Sequence, residues 1–231
     1  MQKIPYLTAI GSLMYLATMT QPDIAYTAGI LARFGTNPGI AHWGAVKHLL
    51  RYLKGTTKYA LTYKPDPTST EPFTTFSNAD HRGCRDSGRS TGGYLVKVGT
   101  GAVCWSSKLQ GIVALSSTEA EYSAAVEAGK EIYWMRNLMS EMGIKQTGPS
   151  TLHIDNQSAI QVTKNPEHHS RMKQLDLKFF WLRDAVERNV IIPSYTRMDQ
   201  MPADILTKSL PKVKVDTFNK MLGLTEQPSH D

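Results

Sequence analysis

The stretch STGGYLVKVGTGAVCWSS (residues 90–107) alternates apolar and polar side chains and turns once. Tyr94, Val96 and Val98 fall on one side of an extended chain, GTG (99–101) turns, and Val103 and Trp105 return, which is the pattern of a β-hairpin. Upstream, FTTFSNAD (73–80) reads as a further strand. Downstream, a long helix is expected from about 117 to 142, stopped by Gly143 and started by Ser116-x-x-Glu119, which has capping-box spacing. A strand TLHID (151–155), a helix NQSAIQVTK (156–164) and a helix over 170–188 follow, the last with Leu175, Phe179, Leu182 and Val186 on one stripe. The strand VIIPSYT (190–196), a short helix MPADILTK (201–208) and a terminal helix VKVDTFNKML (213–222) complete the chain. Three strands, helix, strand, two helices, strand, helix is an α/β order with a mixed sheet.

Before the hairpin the pattern is helical. Residues 5–18 and 22–34 read as short helices, with Pro22 suited to a first turn. Residues 38–54 form the clearest helix there, with Trp43, Val46, Leu50 and Leu53 as its apolar stripe and Lys47, Arg51 and Lys54 as a basic stripe beside it. A short extended piece, KYALTY (58–63), precedes KPDPTSTEP (64–72), rich in Pro, Ser and Thr. The expected division is a helical segment 1–65, a linker 66–72, an α/β domain 73–210 and a C-terminal helix and tail 211–231.

The 231 residues are 41% hydrophobic and 20% charged, as in ordinary globular chains, and no apolar run reaches the ~20 residues that span a bilayer. The first 20 residues read as a buried amphipathic helix in preference to a signal peptide. Cys84 and Cys104 form no CxxC pair and no zinc spacing, consistent with a reducing intracellular setting. The net charge of +6 is unevenly spread. Residues 1–65 hold seven basic side chains against one acid, Asp23, and the remainder is neutral. That asymmetry points to a polyanionic partner for the N-terminal part, or to a solubilising surface.

Five polar positions stand where chemistry is expected. Glu121 extends the stripe of Ala125, Ala128, Ile132 and Met135 toward the sheet, whereas Glu119 points the other way and has a capping role. A buried acid demands a partner or a metal, although a glutamate near a helix start also fits a surface position. Asp155 ends a strand, where α/β proteins place ligands, and equally suits a helix N-cap. Asp204 lies in a helix's first turn, which suits a ligand or the helix dipole. Asn78 and Asp80 share one face of the FTTFSNAD strand.

The words SSTEAEY (116–122), DNQSAI (155–160) and ADILTK (203–208) occur in that order, with FSNAD (76–80), RSTGGY (89–94) and VCWSSKLQ (103–110). In these the chain resembles the RNase H domain of copia-type retrotransposon Pol polyproteins. GSLMYLATMTQPDIAY (11–26) and HWGAVKHLLRYLKGT (42–56) are similar to the last, thumb-like segment of the preceding reverse transcriptase, although no YxDD-type polymerase motif is present. The resemblance implies an RNase H-like fold: a mixed five-stranded sheet flanked by helices, with an N-terminal helical appendage. It also implies metal-dependent hydrolysis of RNA in RNA–DNA hybrids, with two Mg²⁺ ions (Mn²⁺ as substitute) held by four carboxylates. The family's acids fall on Glu121, Asp155 and Asp204, and the first falls on Asn78.

An amide in that position keeps one acceptor oxygen and loses the charge, so weaker metal binding and slower cleavage are expected. Asp80, ~6–7 Å further along the strand, replaces the missing ligand only if a bulge brings it back. His169, Arg171, Lys173 and Lys208 are candidate contacts to nucleic acid, or plain surface charges. Two family histidines become Gln174 and Phe180, and with NADHRG (78–83) these departures fit a decaying genomic copy. A catalytically dead nucleic-acid-binding module and a polyprotein fragment without independent function are the competing readings. The expected partners are RNA–DNA hybrid or another duplex and the rest of a reverse transcriptase polyprotein, with no membrane. The expected location is the cytoplasm, in a virus-like particle, or the nucleus.

Overall fold

The computed structural model describes residues 4–67, 69, 71–164 and 176–227, with the side chains of 176–179 set aside. The α/β part is built on a five-stranded mixed sheet flanked by helices. Its strands are β2 (Thr74–Asp80), β3 (Thr91–Val98), β4 (Gly101–Leu109), β5 (Ser150–Ile154) and β6 (Ile191–Tyr195), in the spatial order β4-β3-β2-β5-β6. The hairpin and β2 run antiparallel, while β2, β5 and β6 run parallel, so β2 is the strand at which the sheet changes character. The parallel connections need crossovers, and helices supply them.

One face of the sheet is covered by α4 (Ser117–Glu141), α5 (Gln157–Lys164) and α6 (Asp176–Glu187). Helix α4 presents small side chains to the strands, Ala125 and Ala128 being fully buried, with Ile132 and Met135 further along. Tyr122, Leu152, Ile154, Leu182 and Ile191 fill the layer between. At Gly129 a Cβ would sit 2.9 Å from the Trp181 ring, so the missing side chain sets how closely α6 approaches α4. Ser116 Oγ accepts from Glu119 N at 3.1 Å, and Glu119 Oε2 accepts from Leu115 N at 2.7 Å. Glu119 is therefore a buried cap whose carboxylate holds the incoming loop.

The opposite face carries a 3₁₀ turn at Pro202–Leu206 and helix α7 (Lys212–Met221), which pack Ile205, Leu206, Phe218 and Leu222 onto Leu95 and Ala102. MPADILTK thus forms a tight 3₁₀ turn in place of a short α-helix. Beyond it lie α1 (Tyr6–Met19), α2 (Ala25–Ala32) and α3 (Ile40–Gly55), with a 3₁₀ turn at Pro22–Ile24. Their own core joins Tyr6, Ile10, Leu13, Ile24, Leu31, Val46 and Leu49. The apolar stripe of α3 differs from expectation by one position. Leu49 is 6% exposed and Leu50 44%. Viewed down the axis, Val46, Leu49 and Leu53 face α1 and α2, and Leu50 falls toward Lys47 and Lys54.

The helices are tied to the sheet. Trp105 Nε1 donates to the Ala17 carbonyl at 2.7 Å. The Tyr52 hydroxyl donates to Asp23 Oδ2, and Asn219 Nδ2 of α7 donates to the Tyr52 oxygen at 3.1 Å. A strand β1 (Tyr59–Leu61) pairs antiparallel with β7 (Leu224–Glu226). The segment after α3 and the segment after α7 thus form one small ribbon.

Candidate active site

The candidate site assembles at the end of β2. Asn78 is 1% exposed and stands opposite Gly93 in the β2–β3 register. A Cβ on Gly93 would lie 2.7 Å from Leu206 Cβ and 3.0 Å from Thr207 Cγ2. Its absence lets the Pro202–Leu206 turn lie flat on the sheet, which delivers Asp204 and Thr207 to Asn78. The Thr207 hydroxyl donates to Asn78 Oδ1 at 3.0 Å. On its other side, Asn78 Nδ2 donates to Asp155 Oδ2 at 3.0 Å. These two contacts fix which way the amide faces, because the reverse orientation would turn an oxygen toward a carboxylate.

Asp155 follows β5, the parallel neighbour of β2, and is half-buried. It does not cap α5. Asn156 Oδ1 does that, accepting from Ala159 N at 3.0 Å, so the Asp155 carboxylate is free for the site. Burial and the nearby Asp204 carboxylate raise the Asp155 pKa, partly offset by Lys208 and by the Asn78 amide. Glu121 projects from the first turns of α4 and is buried at 6% exposure. Burial first, and then Asp155, push its pKa well above the ordinary carboxyl range, against a hydrogen bond from the Ala79 backbone. Its Oε2 is buried without a hydrogen-bond partner among the described residues. Burial and the Asp155 charge both disfavour the charged form of Glu121. Asp204 is 1% exposed, and Lys208 Nζ lies 2.8 Å from its Oδ1 as an ion pair without good hydrogen-bond alignment.

Glu121, Asp155 and Asp204 are therefore gathered within electrostatic reach around Asn78. Asp80 is not part of that group. The β2–β3 register runs unbroken through Asn78↔Gly93 and Asp80↔Thr91, and the one irregularity falls between Val96 and Lys97. No bulge carries Asp80 back along the strand, and its Oδ1 accepts from the Thr91 backbone N–H. The carboxyl folds over Gly83, where a Cβ would clash with it. Rescue of the missing ligand by Asp80 is thus contradicted, since the side chain already closes the end of the hairpin.

Do these groups fit divalent ions? Among the described residues, no set of three or more His, Cys, Asp or Glu side chains is gathered into a metal-binding group. Asn78 turns N–H toward the one oxygen of Asp155 that it touches, and an ammonium sits on Asp204. This donor set does not fit a two-ion centre as it stands.

Of the candidate nucleic-acid contacts, Lys47, Arg51 and Lys54 are all exposed on α3. His169, Arg171 and Lys173 lie outside the described residues. Two groups that the sequence reading passed over belong to this region. Thr207 orients Asn78, a role signalled only by its place in the LTK word after Asp204. The loop after Asp80 exposes Arg82, Arg85 and Arg89, and Arg33 from the end of α2 acts electrostatically on Asp80.

No family model matches the chain. The Pol polyprotein of transposon TNT 1-94 from Nicotiana tabacum is 41% identical over 224 residues, 97% of this chain. That of transposon RE2 from Arabidopsis thaliana is 35% identical over 223 residues, 96% of this chain. The chain belongs to this family. It is an RNase H-like domain of a copia-type retrotransposon Pol polyprotein. It spans only 17% and 15% of those two relatives. A protein named secreted RxLR effector protein 161, from Plasmopara viticola, is 45% identical over 135 residues, 94% of its length and 58% of this chain. Among solved structures, an RNase H1 isolated from compost covers 58% of this chain at 16% identity with a TM-score of 0.45, too loose an overlap to carry an argument.

Proposed function

We propose that this Pol-derived domain grips RNA–DNA hybrid and that its hydrolytic step is impaired at Asn78. The observation that supports this reading best is the Asn78 amide itself, donating to Asp155 and held from behind by Thr207. Hydrolysis of a phosphodiester requires an activated water and neutralisation of charge on an already anionic group. Four carboxylates holding two divalent ions meet both needs, the ions serving as Lewis acids and water activators. Here the first carboxylate is a neutral amide whose N–H₂ cannot ligate.

Binding does not need that centre. Phosphate contacts release counterions, and exposed Lys47, Arg51 and Lys54, with Arg82, Arg85 and Arg89 on the loop after Asp80, suit a duplex backbone. The test pairs fluorescence anisotropy on labelled RNA–DNA hybrid with cleavage of the same hybrid in Mg²⁺ or Mn²⁺, for the wild type and Asn78→Asp. Salt-sensitive binding by both and product from Asn78→Asp is the expected result. No hybrid binding, or no product from either protein, overturns the proposal.

A further inference from the structure

The acid group carries a cation of its own. Lys208 follows Asp204 by four residues, and the chain closes between them through hydrogen bonds from Thr207 N and Lys208 N to the Asp204 carbonyl. The turn thus aims the lysine back over its own aspartate, 2.8 Å from Oδ1. Its charge is felt by Asp80, Glu121 and Asp155 as well, lowering the pKa of each. The Lys208 side chain is 40% exposed, in contrast to Asp204 at 1%, so the ammonium arrives from the solvent side and has room to leave.

We propose that the Lys208 ammonium, with the Asn78 amide, is the resident counter-charge of this site: the lysine neutralises Asp204, the amide occupies Asp155, and a divalent cation enters only by displacing Lys208. This deepens the reading of Glu121, Asp155 and Asp204 as one site and rests on it. The chemistry is simple competition. An ammonium is a single charge with three N–H donors, held covalently within reach at high effective concentration. A divalent ion needs hard oxygen ligands and loses water reluctantly. With one carboxylate already exchanged for an amide, the remaining acids are matched to a weaker cation.

The test reads metal binding, not cleavage. Thermal unfolding with and without millimolar Mg²⁺, and calorimetric titration with Mn²⁺, are carried out at one fixed pH on wild type, Lys208→Met and Lys208→Arg. The wild type and Lys208→Arg are expected to show no Mg²⁺-dependent rise in Tm. Lys208→Met is expected to melt lower without metal, recover on adding Mg²⁺, and bind Mn²⁺ about tenfold or more tightly than wild type, the effect of removing one nearby positive charge. Equal Mn²⁺ affinity in wild type and Lys208→Met overturns the inference, as does a Tm rise with Mg²⁺ in wild type equal to that in the variant. Because no substrate is present, these outcomes are independent of hybrid binding and cleavage, so failure here is distinct from failure of the proposed function.

Discussion

Residue 78 shows how one atom type changes a site. An oxygen replaced by N–H₂ turns repulsion between two acids into a hydrogen bond, and Asn78 now holds Asp155 where a carboxylate would push it away. Asn78→Asp returns that repulsion. In metal-free buffer the variant is expected to lose about 2 kcal/mol or more of stability, because a buried charge is added among acids, and calorimetry or denaturant titration measures it. Thr207→Val removes the donor to Asn78 Oδ1 and leaves a buried acceptor unpaired, at an expected cost of about 1–3 kcal/mol. At this scale the acids were readable from their words and order. The lysine on Asp204 was not, because nothing in ADILTK says which way a turn throws a long side chain.

Among the elements, the 3₁₀ turn is the part on which the site depends. It reaches Asn78 only because β3 has no side chain at Gly93. Gly93→Ala forces the turn off the sheet and is expected to cost about 1–3 kcal/mol by overpacking. It is also expected to shift the amide signals of Asp204 and Thr207, which NMR would show. The hairpin and the long helix were legible because their periods of 2 and 3.6 are local properties. The shift of the α3 stripe from Leu50 to Leu49 was not, since both lie on the same broad face and only the positions of α1 and α2 decide between them.

Between elements, Asp23 gives a pH signature. Burial holds its pKa above the ordinary 3.8, against hydrogen bonds from Tyr52 and the backbone. A carboxyl whose folded pKa exceeds its unfolded value makes the folded state bind more protons, so stability falls as pH rises above the unfolded value and through the folded one. Each tenfold in proton affinity amounts to about 1.4 kcal/mol. Asp23→Asn is expected to remove that decline, so that its Tm gains on wild type between acid and neutral pH. Parallel Tm curves would contradict the assignment.

For the whole molecule, the segment after α3 meets the segment after α7. Strands β1 and β7 pair across some of the longest sequence separations in the fold, a contact no local pattern announces. The helical segment therefore sits against the α/β part through Trp105, Tyr52 and Asn219, and its exposed basic stripe belongs to the same body as the acids. Replacing Lys47, Arg51 and Lys54 together is expected to weaken hybrid binding and to flatten the salt dependence by up to about 0.9 per lost phosphate contact. An unchanged slope would make the stripe a plain solvated surface.

The most direct measurement of the central claim is the single-turnover cleavage rate of an RNA–DNA hybrid by wild type and by Asn78→Asp, each at saturating protein and millimolar Mg²⁺. With Glu121, Asp155 and Asp204 already in place around residue 78, restoring one carboxylate is predicted to raise the rate about a hundredfold or more. Equal rates for the two proteins, whether both fast or both absent, would contradict the account.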